Sequence, residues 1–200
     1  MTDAINFRNV CLSFGKRALF ENVTLNLRGG KIIGVTGING VGKSTFLKLA
    51  GKIISPDSGA VTLPENFSIA AVSPEIKIYD GLTVAENLKF FAHLRGKTLT
   101  VEKIFELGER VGLNMKTVGS TRTENLSTGM RQRLKFAILL SVDADIWLLD
   151  EMTANLDDDG RRKFFAEVQA AKQKKIILLA TNDKLEVEIC NEVICLPLNN

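Results

Sequence analysis

The spacing of hydrophobic positions changes character along the chain. Residues 5–14, 23–27 and 31–36 read as strands, with Gly15 and the pair Gly29-Gly30 as turn signals between them. A glycine-rich polar segment, 37–45, follows the third strand and leads into Phe46, Leu47 and Leu49, whose spacing suits a helix. A further short strand is predicted at 69–72. Around Thr83 the period becomes helical: Thr83 and Glu86 form the pattern of a capping box, and Val84, Leu88, Phe91 and Leu94 mark one apolar stripe. A second helix is predicted through Val101, Ile104, Phe105 and Val111, so that roughly 83–120 reads as a helical lobe. Two short apolar runs then follow, 146–149 and 176–179, separated by a polar stretch long enough for a helix. Such runs mark parallel strands covered on both faces, and the pattern predicts an α/β fold with a mostly parallel sheet and a β-rich opening.

Composition narrows this only a little. Of 200 residues, 45% are hydrophobic and 24% charged, which predicts a packed core and argues against long disorder. There is no internal repeat and no Pro/Ser-rich linker, so one domain with inserted lobes is expected. The formal charge of +3 comes from scattered Lys and Arg, so no nucleic-acid partner is expected. The longest apolar stretches, 136–142 and 176–180, fall far short of the ~18 residues that cross a bilayer. The opening residues carry Asp3 and lack the pattern of a secretory leader, which makes the cytoplasm the expected compartment. Cys11, Cys190 and Cys195 are odd in number and lack CxxC spacing, so they read as buried thiols rather than as a zinc site or disulfide framework.

The chemistry concentrates after the third strand. Gly37-Ile38-Asn39-Gly40-Val41-Gly42-Lys43-Ser44 satisfies G-x-x-x-x-G-K-[ST] between a predicted strand and a predicted helix. Given the average frequency of glycine, a chance match somewhere in such a chain is on the order of one per cent. Glycines let successive N–H groups turn inward on phosphates, and the helix N-terminus adds its positive end. Lys43 is placed to reach the β- and γ-phosphates and Ser44 to offer its hydroxyl to Mg²⁺. The strand 146–149 runs into Asp150 and Glu151 at the carboxyl edge of the predicted sheet, where such folds bind ligands. Asp150 suits Mg²⁺, and Glu151 suits orienting or deprotonating the water that attacks the γ-phosphate.

Together these residues resemble those of the ATP-binding cassette (ABC) ATPases. Leu126-Ser127-Thr128-Gly129-Met130-Arg131-Gln132-Arg133 is similar to the family signature L-S-G-G-Q-x-Q-R, and it lies between the helical lobe and the acidic strand as in that family. The resemblance extends over nearly the whole chain. Ser13-Phe14-Gly15 matches the segment whose aromatic residue stacks on adenine; Phe14 on a strand also admits plain packing, since stacking asks only for a flat π face. Residues 82–88 match the start of the family's helical subdomain, and Ala154-Asn155-Leu156-Asp157 matches its dimer-contact loop. The resemblance implies a P-loop NTPase core, an N-terminal antiparallel β subdomain and an inserted α-helical subdomain, roughly 83–130, within a single domain of residues 1–200. It also implies a cofactor set of ATP and Mg²⁺, with ATP held by Gly37, Asn39, Gly40, Gly42, Lys43, Ser44 and Thr45. Ser127 and Gly129, at a helix N-terminus, present a hydroxyl and open N–H groups suited to an anion. In the family they close over the ATP of a second, head-to-tail subunit, so a homodimer or heterodimer is expected.

Several positions depart from the family pattern. Pro74 falls where a Gln contacts Mg²⁺, leaving Glu75 as a substitute ligand, and Thr181-Asn182-Asp183 puts Asn182 in place of the switch histidine. An amide can donate a hydrogen bond but carries no charge, which predicts a slow ATPase. Met152 replaces a common proline, and Met130 a glutamine, in a variant associated with exporters. His93 reads as a helix-flank residue, Trp147 as core, and Lys172, Lys174 and Lys175 as a solvated helix end. The reading that follows is a peripheral subunit on the cytoplasmic membrane face, docked on separate integral membrane permease subunits through the groove between the helical lobe and the segment 73–80. The short chain also resembles the haem-exporter ATPases of cytochrome c maturation. Alternatives are a non-transport ABC ATPase and a catalytically weakened half of a heterodimer.

Overall fold

The structure, a computed structural model, describes residues 4–15 and 17–198; Asp3, in the segment read for a leader, lies outside the described residues. The elements run β1 (Ala4–Phe14), β2 (Arg17–Arg28), β3 (Ile32–Thr36), α1 (Lys43–Ala50), β4 (Ser58–Thr62), β5 (Ile69–Val72), α2 (Val84–His93), α3 (Val101–Val111) and α4 (Met115–Val118). A 3₁₀ turn (Thr123–Asn125) precedes α5 (Thr128–Val142), β6 (Ile146–Asp150), α6 (Asp158–Ala171), β7 (Ile176–Ala180), α7 (Lys184–Glu188) and β8 (Glu192–Cys195). The described residues divide into two compact units. One gathers those within Met1–Ala71, Ala144–Glu151 and Val168–Asn200; the other is Val72–Asp143 with Met152–Glu167.

The first unit holds two sheets: an antiparallel one in the order β2-β1-β4 and a five-stranded one in the order β5-β6-β7-β3-β8. β3 pairs in parallel with β7 and β8, and β6 with β7. Every residue of β6 and β7 is buried, the outcome that their unbroken apolar runs predict for strands covered on both faces. Helix α1 is fastened to the antiparallel sheet by Phe46, fully buried and stacked on Phe7 with ring centroids 5.1 Å apart. Burial of such a ring contributes about 2–3 kcal/mol and fixes the helix whose first residue is Lys43.

Three strands differ from the sequence reading. β2 begins at Arg17 rather than 23, because Arg17 already pairs with Phe14 of β1 and Phe20 is buried against the core. β4 and β8 were not anticipated: each lies at a sheet edge and buries one side chain, Val61 or Ile194, so neither leaves an apolar pattern.

The second unit is helical. Thr83 and Glu86 form the capping box, the Thr83 hydroxyl accepting from Glu86 N–H at 3.2 Å and the Glu86 carboxylate from Thr83 N–H at 2.8 Å. The stripe of α2 is Val84, Leu88 and Ala92, with buried Asn87 beside it. Leu94 falls beyond the helix and is 63% exposed. On α3 the buried face is Ile104, Leu107 and Val111, while Val101, at its first position, is exposed. α5 packs against both and continues to Val142, where Asp143 at φ 51° ends it.

Trp147 is core, 2% exposed. Lys175 is not part of a solvated helix end: its ammonium donates to Ala144 O at 2.8 Å and lies 5.2 Å from the Trp147 ring centre. The thiol reading also needs correction. Cys195 is exposed and Cys11 half-buried, while Cys190 is half-buried and pushed up to about 11, first by burial and then by Glu186. Among the described residues no helix is long and apolar enough to cross a membrane.

Candidate active site

β3 carries the chain out of the core at Thr36 into the glycine loop. Backbone φ is positive at Gly37 (141°), Gly40 (76°) and Gly42 (115°). A Cβ at Gly37 would stand 2.6 Å from Leu196 O and 2.9 Å from Val41 Cγ1, so only glycine fits there. The Lys43 side chain folds back over the loop and donates to Gly37 O at 2.8 Å and Ile38 O at 3.4 Å. Ser44, Asn39 and Gly40 are exposed and Thr45 is half-buried. Gly42, the N-cap of α1, leaves the first turn without a side-chain cap.

Strand register brings the remaining groups of this unit to the loop. Asp150 is paired with Ala180, and Ala180 with Val35, so the ends of β6, β7 and β3 form one row. The same edge therefore presents Asp150, 7% exposed, with exposed Glu151 one residue on and Asn182 two residues past Ala180. Glu151 adopts φ 51° and donates its N–H to Ala180 O at 3.1 Å. A left-handed non-glycine residue costs about 1–2 kcal/mol and recurs at functional sites. Asn182 Nδ2 donates to Asn39 Oδ1 at 2.8 Å, a direct link between the residue in the switch position and the glycine loop. Phe14, the last residue of β1, is 59% exposed, and its ring has not gone into the core.

The second unit holds the other predicted positions. Ser127 is the N-cap of α5, and its hydroxyl accepts from Met130 N–H at 3.2 Å. One of the amides that sequence left open for an anion is thus engaged by the serine itself. A Cβ at Gly129 would approach Asn155 O to 2.8 Å, so the loop 154–157 lies against the first turn of α5. Asp157 accepts from Gly160 N–H at 2.8 Å and from the Arg133 guanidinium, and these contacts, the Gly160 amide foremost, hold its carboxyl below the usual range. Glu75 is exposed in the turn after β5, where Lys135 donates to Ser73 O and Pro74 O, both at 3.1 Å. Burial, then Arg131, pushes Lys135 below the usual lysine range. His93 is exposed at the end of α2.

One electrostatic feature separates the helices. Among those of eight residues or more, α2, α3 and α6 carry acids in the first turn: Glu86, Glu102, and Asp158 with Asp159. α1 and α5 carry none. The positive ends left uncompensated are those of the glycine loop and of the signature segment.

The sequence model of the ABC transporter family matches residues 20–154, more than half of the chain. The chain belongs to the ABC transporter ATP-binding family. The probable multidrug ABC transporter ATP-binding protein YbhF of Escherichia coli is 32% identical over 94% of this chain and 35% of its own length. The cytochrome c biogenesis ATP-binding export protein CcmA of Rhizobium etli is 32% identical over 92% of this chain and 91% of its own length. The dimeric structure of the bacterial ABC transporter cassette MJ0796 has the same fold, with a TM-score of 0.82 at 22% identity over 96% of this chain and 93% of that one. Against four relatives, the chain spans only 12% to 35% of their length. The P-loop core, parallel sheet and antiparallel β subdomain are those of the ABC ATPase cassette.

Sequence reasoning gave no role to Gln132 or Arg133, although both stand within the signature it quoted. Their type and spacing were visible; their partners 20 and 24 residues further along were not.

Proposed function

We propose that this chain binds Mg-ATP on the loop 37–45 and hydrolyses it slowly, powering an ABC exporter by ATP-driven pairing of two such subunits on separate transmembrane proteins. The observation that carries the reading is the single sheet edge at which the loop, Asp150, Glu151 and Asn182 converge. The loop amides and Lys43 grip the phosphates, and Phe14 offers its exposed face to adenine. Ser44 and Asp150 present the hard oxygens that Mg²⁺ takes, in the sparse protein set usual where phosphates complete the shell; bound there, the ion neutralises phosphate charge. The Glu151 carboxylate accepts the proton of a water whose oxygen bonds to the γ-phosphorus as the bond to the β-bridging oxygen breaks, releasing ADP and phosphate. Asn182 donates an amide N–H to the γ-phosphate, and its lack of charge slows the step. Ser127 and Gly129 close over the ATP of a partner copy, with Asp157 in the loop beside that contact.

The segment 73–80 receives the permease: Tyr79 is half exposed and packs on Phe90 and Phe91 with centroids 4.7 and 5.9 Å away. Likeness to CcmA over nearly its full length supports haem export as the task, with the cytoplasmic membrane face as the place of work. Asn182 and Pro74 favour, as a second reading, the weakened half of a heterodimer. Single-turnover ATP hydrolysis tests the assignment. Lys43→Ala loses ATP binding, while Glu151→Gln keeps binding and hydrolyses at least about 100-fold more slowly; an undiminished rate in Glu151→Gln removes the base.

A further inference from the structure

Within the first unit, a carboxylate that no step of the proposed hydrolysis uses holds the strand end that carries Phe14. β1 pairs with β4 as far as Cys11 opposite Ser58. Pro56, just upstream, has no N–H with which to continue the ladder. Asp57 extends the pairing instead, through both its backbone and its side chain. Its N–H donates to Cys11 O at 2.9 Å, and its Oδ2 accepts from Ser13 N–H at 2.7 Å. A backbone amide bonded to an ionised carboxylate is held more strongly than one bonded to a carbonyl. Leu12, between the two bonded residues, is buried, so this edge of β1 is pinned on either side of a core anchor. Phe14 follows directly as the last residue of the strand, its ring exposed.

The other edge of β1 is tied to the phosphate loop. Leu12 lies opposite Phe20 in the β1–β2 pairing, and Phe20 meets Phe46 of α1 edge-on, with centroids 6.0 Å apart. A Cβ at Gly42 would stand 3.5 Å from Phe20 Cζ, so β2 rests against the start of α1. The strand end is thus held by the loop's own helix on one side and by Asp57 on the other. An aromatic ring adds to affinity only as far as its backbone is ordered before the base arrives, since ordering it on binding offsets the gain. We propose that Asp57 is a positioning residue for the adenine platform: its carboxylate holds the Ser13 amide and thereby the backbone that presents the Phe14 ring. This rests on the assignment of Phe14 as the residue that stacks on adenine.

Titration calorimetry of the full chain tests it, with Mg-ATP and with magnesium tripolyphosphate, which has the phosphates but no base. Asp57→Ala weakens ATP binding about fivefold and leaves tripolyphosphate within about twofold of wild type, because only the base meets the ring. Asp57→Asn, which keeps an acceptor oxygen, binds ATP within about twofold of wild type. Should Asp57→Ala fail to fold, Asp57→Glu, which keeps the charge but moves the carboxylate by one methylene, takes its place. In a Phe14→Ala background, Asp57→Ala adds no further loss, because the ring it presents is gone. Unchanged ATP affinity in Asp57→Ala, an equal loss for ATP and tripolyphosphate, or the same loss in both backgrounds overturns the proposal. So does a loss in Asp57→Asn as large as that in Asp57→Ala. Wild-type ATP affinity in Phe14→Ala alone instead removes the stacking assignment, and that variant tells the two failures apart.

Discussion

Helix α1 begins at Gly42, left-handed and without a side chain over the first amides, whereas α5 begins at Ser127, whose hydroxyl already holds the Met130 amide. Both first turns lack the acid that α2, α3 and α6 carry. An uncapped end costs stability unless a ligand satisfies it, and on the proposed function the α1 terminus has phosphate as its standing partner. The serine-capped end of α5 has a cap of its own and carries no acid to offset its positive dipole. On the proposed function, that difference suits a grip that persists at one helix and a contact made and broken in each cycle at the other.

The sharpest way to break this comparison is to seal the second terminus as α2 is sealed. Met130→Glu completes the pattern Ser127-x-x-Glu of a capping box, which should raise the melting temperature slightly while lowering ATPase turnover by more than about tenfold through repulsion of the phosphate. Undiminished turnover with a stabilised fold means that the terminus of α5 meets no anion. Removing the cap is next in size: Ser127→Ala should destabilise the fold by about 1 kcal/mol and weaken ATP-dependent dimerisation severalfold. Chemical denaturation and gel filtration read the two effects separately, and a loss of stability with unchanged dimerisation makes the serine purely structural.

A smaller effect is expected at the loop itself. Asn182→His should raise turnover a few-fold. It should also make turnover pH-dependent near the imidazole range of ~6.5, where wild type is flat from this residue. A flat profile with unchanged rate shows that the Asn182–Asn39 link does not limit the reaction. The smallest effect belongs to the sealed helix. Thr83 N–H, above all, holds the Glu86 carboxyl below its ordinary range, so its stabilising contribution is present above the unfolded glutamate value near 4.3 and is lost as pH falls through the lower folded value. Melting curves of Glu86→Gln should therefore differ slightly from wild type at pH 7 and converge in acid; curves that stay apart at low pH deny the carboxylate its part in the cap.

Much of the site was legible because its chemistry is local. The glycine loop, the acids at the end of β6, the Thr83 capping box and the serine before α5 each involve residues within a few positions of one another, and spacing reveals them. Edge strands β4 and β8 left no such trace, since one buried side chain apiece makes no period. Leu94 and Val101 matched a helical stripe yet stand in solvent, because the helix ends decide which apolar residue is still on the buried face. Lys175 read as a solvated charge, but a carbonyl 31 residues away in sequence and the Trp147 ring both take it up.

Sequence by itself determined the strands β1, β3, β5, β6 and β7, the glycine-rich loop between β3 and α1, and the two helix starts, at Lys43 and after Ser127, that carry no acid in their first turn. These follow from the intrinsic conformational freedom of glycine and from charge placed within one turn of a terminus. Only the tertiary structure decided that Asn39 meets Asn182 and that Asp57 takes up the Ser13 amide at the end of β1. Such pairings depend on strand register and helix packing between segments distant along the chain, and a side chain's reach says nothing of which carbonyl the fold will bring to it.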